Sequence, residues 1–212
     1  FVHFPPPASR FKPPITTGLG LGNSSVEALL SGLYEVIERD ATMLSWYSTF
    51  DPLGLAVDDE GFRTLAKRAR AEDLSVTPLL VTQDVDVPVV AVAIHRDGDW
   101  PRFAVGSGAA LDPDAAARSA LAEALQNWLE LEMMGREEAA DAEGAIARYA
   151  DFPEAAREFV TPGTTVPGDS VGPDDVPDGE AELDAVVDRA NDAFDVYAAR
   201  LTTRDVARLG FE

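Results

Sequence analysis

Apolar and polar positions follow two periods along this chain. Val26, Leu29, Leu30, Leu33, Ile37 and Leu44 recur at helical spacing. Ser24 stands before them as an N-cap, with Glu27 three residues on, where a capping box places its acid. A second helix is predicted over residues 113–134, opened by Asp112 as N-cap and Pro113 at its first position. Leu121, Leu125, Leu129 and Met133 give it an apolar stripe. Between these helices, residues 58–71 read as a short helix with Phe62, Leu65 and Ala66 inward. Residues 74–82 and 87–95 are valine-rich and strand-like, separated by an acidic turn at 83–86. Gly98 makes the next turn, and residues 101–106 return as a third strand. Short links between neighbouring strands predict antiparallel pairing.

Beyond the second long helix, residues 136–150 read as a further helix. Residues 159–179 form an acidic loop broken by Pro162, Pro167, Pro173 and Pro177. Residues 180–193 are helical, with Leu183, Val186, Val187 and Ala190 inward. Residues 194–201 read as a strand and 203–209 as a short helix ended by Gly210; Phe211 opens a strand where the sequence stops. Residues 1–14 are proline-rich and aperiodic, an extended arm ahead of one domain over 15–212. The expectation is an α/β (α+β) fold with mixed or antiparallel sheets and helices layered on them.

The first long helix also carries a polar strip: Ser31, Glu35, Glu38 and Arg39 share one side of it. A solvated face with an ordinary Glu35–Arg39 pair explains such a strip. So does a carboxylate pair that holds Mg²⁺ against phosphates. A second copy favours the latter. Shifting the chain by 88 positions places Gly20 on Gly108, Ala28 on Ala116, Ser31 on Ser119, Leu33 on Leu121, Glu35 on Glu123 and Glu38 on Gln126. The repeat spans residues 17–50 and 105–138, and solvated faces have no reason to repeat a serine and an acid in register. The run Gly18-Leu-Gly20-Leu-Gly22 fits a tight turn feeding a helix and fits a phosphate-contacting loop equally well. The chain has no P-loop motif.

The glycine turn, SGLYEVIERD and AARSALAEALQ together resemble the YcaO family of ATP-dependent enzymes. Both family motifs, Ser-x3-Glu-x2-Glu-Arg and Ser-x3-Glu-x2-Gln, are intact. Arg136 falls where the family often has an arginine after its second motif helix, whereas Trp128 stands where many members carry one. The resemblance implies an internally duplicated YcaO-type domain with ATP and Mg²⁺ as cofactors. It implies metal contacts from Glu35, Glu38 and Glu123, and nucleotide contacts from Ser31, Arg39, Ser119, Gln126 and Arg136. It singles out no acid–base catalyst. The implied reaction is O-phosphorylation of a peptide backbone amide, giving an azoline or a thioamide. The implied partners are a peptide or protein substrate, a protein delivering substrate or sulfide, and a second copy in a homodimer. A non-catalytic docking module, or an accessory factor for methylthiolation of a ribosomal protein, is the alternative.

Composition narrows this further. The net charge is −21 over 212 residues, and Lys12 and Lys67 are the sole lysines. Such a surface repels nucleic-acid phosphate and anionic lipid, and resembles the cytoplasmic proteins of salt-loving organisms. Cysteine is absent, which excludes thiolate metal sites and a cysteine nucleophile within this sequence. His3 and His95 lie far apart and read as structural. No uninterrupted apolar run reaches the roughly 18 residues of a membrane span, and no signal-peptide pattern opens the chain, so a cytoplasmic protein is expected. A first residue other than Met, and a final strand cut short, suggest part of a longer gene product.

Overall fold

The structure is a computed structural model that describes residues 16–48, 51–141, 150–152, 154–202 and 208. The arm expected at 1–14, most of the helix expected at 203–209, and the strand expected at Phe211 lie outside the described residues. In chain order the elements are α1 (Ser25–Tyr47), β1 (Leu53–Ala56), α2 (Glu60–Ala71), β2 (Ser75–Leu80), β3 (Val89–His95), β4 (Phe103–Ala109), α3 (Pro113–Asp141), β5 (Thr165–Pro167) and α4 (Gly179–Asn191). The strands form one mixed sheet in the order β4-β3-β2-β1-β5. β1–β2, β2–β3 and β3–β4 pair antiparallel, while β1–β5 is parallel.

Helices cover both faces of this sheet. β3 reads VVAVAIH, a nearly continuous apolar run, because both of its faces are buried. Val90, Val92 and Ile94 pack with α2 and α3, through Phe62, Ala66, Ala116, Ala120 and Leu121. Val89 and Ala91 point the other way, into a cluster with Leu30, Leu33, Ile37 and Ala41 of α1 and Val186 and Ala190 of α4. The strand period of two thus separates α1 and α4 from α2 and α3. Tyr34 fastens the first pair: its hydroxyl donates to Glu182 Oε1 at 2.7 Å and accepts from Leu111 N–H at 3.2 Å.

Five expectations change. The strand expected at 194–201 is irregular, although Phe194 and Val196 still pack on the α1–α4 cluster. The loop expected at 159–179 contains β5, and β1 adds a strand where none was expected. The helix expected at 136–150 is, over 136–141, the continuation of α3 past a break at Gly135 (φ 73°, ψ 163°), and residues 142–149 lie outside the described residues. The apolar stripe of α3 is also rotated. Leu121 is buried, but Leu129 and Met133 are 57% and 87% exposed. The inward face is built from Ala116, Ala117, Ala120, Ala124, Trp128 and Leu131.

The alanines follow from how closely β4 approaches. A Cβ on Gly106 would sit 2.3 Å from Ala124 N and 2.4 Å from Ala120 O, and one on Gly108 would sit 2.5 Å from Ala116 O. Glycine on the strand and alanine on the helix let two backbones pack nearly in contact. The first repeat does the same: a Cβ on Gly20 would sit 1.7 Å from Ala28 O, and one on Gly32 would sit 2.7 Å from Gly18 O. The glycines therefore serve close backbone packing on a helix: of strand β4 on α3 in the second repeat, and of an irregular segment on α1 in the first.

Candidate functional site at the outer edge of strand four

β4 is an edge strand, so every second residue directs its N–H and C=O away from the sheet. α3 supplies partners for two of these groups. Glu123 Oε2 accepts from Ser107 N–H at 2.6 Å, and Asn127 Nδ2 donates to Val105 O at 2.8 Å. Glu123 and Asn127 are one helical turn apart, so α3 is stapled along the strand. On the opposite face of the sheet, Ser107 Oγ donates to Glu38 Oε1 of α1 at 2.7 Å. One strand residue thereby joins a carboxylate from each motif helix. The two polar strips lie on helices across the sheet from one another, and of their residues Glu38 and Glu123 come together at Ser107 where the sheet ends, whereas Gln126 bonds Glu130.

Both helices begin as their sequences require. Ser24 Oγ accepts from Glu27 N–H at 3.2 Å, and Asp112 Oδ1 accepts from Asp114 N–H at 3.0 Å. The Glu27 carboxylate bonds the N–H of Asn23 at 2.7 Å, one residue earlier than a capping box would place it.

The electrostatics follow from this packing. Burial holds the Glu38 carboxyl above the usual carboxylate range, and the charges of Glu123 and Glu35 push it the same way. The Ser107 hydroxyl and the Arg39 charge oppose the rise. Glu35 is half-buried on the same strip, while Ser31 and Arg39 are exposed there. Arg39 forms no salt bridge with Glu35 among the described residues, so the ordinary helical pair is not made. The Thr42 hydroxyl, next on this strip, is buried without a hydrogen-bond partner. On α3, Ser119 and Gln126 are exposed, and Gln126 Nε2 donates to Glu130 Oε1 at 3.0 Å. Arg136 lies in α3 just past Gly135, and its side chain is outside the described residues. Trp128 is only 4% exposed; it donates to Glu132 and lies beneath the Arg96 guanidinium, 4.9 Å away. That position therefore serves the core here.

The donor set suits Mg²⁺ and a phosphate chain. Carboxylate oxygens are hard ligands, and a cation beside Glu38 would remove the repulsion that burdens it. Among the described residues no three His, Cys, Asp or Glu side chains are gathered closely enough to hold a metal alone. The structure therefore brings Glu38 and Glu123 together at Ser107 but does not gather Glu35, Glu38 and Glu123 into a three-carboxylate metal site; Mg²⁺ typically uses one or two carboxylates plus substrate phosphates. Sequence reasoning found both strips but missed Ser107. Its one signal is its place between two glycines in a strand that opens the second repeat.

Comparison with known proteins supports the same chemistry. A family profile described as YcaO cyclodehydratase, ATP- and Mg²⁺-binding, matches residues 1–211. A heterocyclase solved in complex with substrate and cofactor superposes with a TM-score of 0.74 at 26% identity, covering 91% of this chain and 27% of that one. YcaO from Methanopyrus kandleri, bound with AMPPCP and Mg²⁺, superposes with a TM-score of 0.68 at 26% identity, covering 87% of this chain and 49% of that one. An uncharacterised protein of Methanothermobacter thermautotrophicus is 34% identical over 118 residues, which is 53% of this chain and 30% of that protein. The chain thus spans half or less of the length of these proteins. With ATP and Mg²⁺ as its cofactors, this chain belongs to the YcaO family.

Proposed function

We propose that the chain activates a peptide backbone amide by ATP-dependent O-phosphorylation. The product is an azoline ring, when a cysteine, serine or threonine side chain of the substrate attacks the amide carbon, or a thioamide, when sulfide attacks. The amide oxygen then leaves as phosphate. Bound Mg²⁺·ATP supplies the phosphoryl group. The residues of this chain create the place where that charge is tolerated. Glu35, Glu38 and Glu123, carried by the two motif helices, would hold the cation together with the nucleotide phosphates. Arg39 presents a planar donor to phosphate oxygens. Gln126 turns from Glu130 to contribute an uncharged contact, and Ser31 and Ser119 add hydroxyls or allow close approach. Arg136, which follows Gly135 in the chain, is the further nucleotide-contacting residue that the family pattern implies.

The observation that carries this reading is the pair of bonds that ties Glu38 and Glu123 to Ser107. Calorimetry with Mg²⁺·ATP tests it. The wild-type chain should bind, and binding should require Mg²⁺. Glu35→Gln should abolish binding while leaving the empty fold as stable as before or more so. Unchanged affinity in Glu35→Gln would return this strip to a solvated helix face. Absence of binding by the wild type would favour the docking-module alternative.

A further inference from the structure

We infer that Ser107 is a positioning residue for the metal carboxylates, presetting Glu38 and Glu123 across the edge of β4 before any cation arrives. This rests on the proposed Mg²⁺·ATP site. Glu38 and Glu123 come from helices on opposite faces of the sheet, and their like charges repel. Left alone, each side chain would turn toward water. Ser107 prevents that with two different donors: its hydroxyl to Glu38 at 2.7 Å and its backbone N–H to Glu123 at 2.6 Å. Each bond uses one carboxylate oxygen. The second oxygen of Glu38 and of Glu123 accepts no hydrogen bond among the described residues. The residue therefore fixes both side chains and leaves one free oxygen on each for a cation.

The strand makes this positioning rigid. Gly106 and Gly108 let β4 lie close against the α3 backbone, and the bonds from Ser107 N–H to Glu123 and from Asn127 to Val105 O tie the strand to that helix. The register of β4 with β3 pairs Ser107 with Ala91, whose side is covered by α1. The hydroxyl consequently leaves the sheet toward α1, while the N–H leaves through the open edge toward α3. No other described residue bonds carboxylates from both motif helices.

Ser107→Ala removes the bond to Glu38 and keeps the backbone bond to Glu123. Ser107→Thr restores the hydroxyl in a residue suited to a strand. Two quantities are measured for each: the melting temperature of the empty chain, and calorimetric affinity for AMPPCP with Mg²⁺ and with Ca²⁺. Partners that orient metal ligands are typically worth about 10- to 100-fold in affinity. Mg²⁺ demands near-ideal octahedral geometry and Ca²⁺ does not. Ser107→Ala should therefore weaken the Mg²⁺ complex about tenfold or more and the Ca²⁺ complex far less, and Ser107→Thr should recover most of the loss. Equal weakening with both ions alongside a lowered melting temperature would mean a structural residue only and overturn the inference. So would wild-type Mg²⁺ affinity in Ser107→Ala while Glu38→Gln loses binding, a result that leaves the site itself standing. Failure of the wild type to bind either complex overturns both the inference and the site.

Discussion

Gly106→Ala probes the contact on which the geometry of the site depends. The added Cβ would lie 2.3 Å from Ala124 N and 2.4 Å from Ala120 O, both backbone atoms that no rotamer change can move. Ordinary contact requires about 3.4 Å or more, so strand and helix must part by roughly 1 Å. Overpacking of this kind costs about 1–3 kcal/mol, and rigid neighbours place this site near the upper end. At roughly 2–4 °C per kcal/mol for a chain of this size, the melting temperature should fall by about 6–12 °C. The same displacement stretches the 2.6 Å bond from Ser107 N–H to Glu123 beyond hydrogen-bond range. Affinity for Mg²⁺·AMPPCP, measured well below the transition, should fall as well. Gly163→Ala is the control, because the added Cβ would meet only Asp51 Oδ2, at 3.8 Å, among the described residues; its melting temperature and affinity should match wild type. Thermal denaturation followed by circular dichroism, with calorimetry on the same samples, reads both effects. A Gly106→Ala variant that melts with wild type would refute the close packing of β4 on α3 and the placement of the site on it.

Glu38 gives a prediction in pH. Its carboxyl is held above the usual range, chiefly by burial, so the folded chain binds that proton more tightly than the unfolded chain does. Its contribution to stability is therefore most favourable at acid pH, declines as pH rises from the ordinary glutamate range through the raised folded value, and stays reduced above it. Glu38→Gln should flatten that part of the stability–pH curve and raise the melting temperature at neutral pH; a steeper curve would contradict the assigned burial. Tyr34→Phe should cost about 1–3 kcal/mol by leaving Leu111 N–H without its bond and freeing Glu182, measured by denaturant titration. With a net charge of −21, melting temperature should rise from low to molar salt, and a flat or falling midpoint would count against the halophile reading.

The long helices and central strands were legible because periodicity and caps agreed. Ser24, Asp112 and the valines of β3 each state their element locally. β1 and β5 were not legible. They are four and three residues long, β5 ends in a proline and pairs only with β1 among the described residues, and β1 forms between β2 and β5. Residues 194–201 have a strand-like composition, but strand formation needs a partner, and none pairs with them among the described residues. The α3 stripe differs from the spacing of its large apolar residues because those residues are not the ones that face the sheet. The strand approaches so closely that alanine occupies the inward face, and Leu129 and Met133 face outward. The two acidic strips were legible from their repeat in register. Their meeting point was not, because Ser107 enters only through topology: an edge strand between helices on opposite faces.

The central claim is that Glu38 and Glu123 share a cation with nucleotide phosphates at the β4 edge. Crystals of this chain grown with AMPPCP and Mn²⁺, measured at the manganese absorption edge, test it most directly. The account predicts an anomalous peak within coordination distance of one oxygen each from Glu38 and Glu123, with triphosphate oxygens completing the shell and Ser107 still bonded to both side chains. Manganese bound elsewhere, or a nucleotide seated away from α1 and α3 with these carboxylates unliganded, would contradict it.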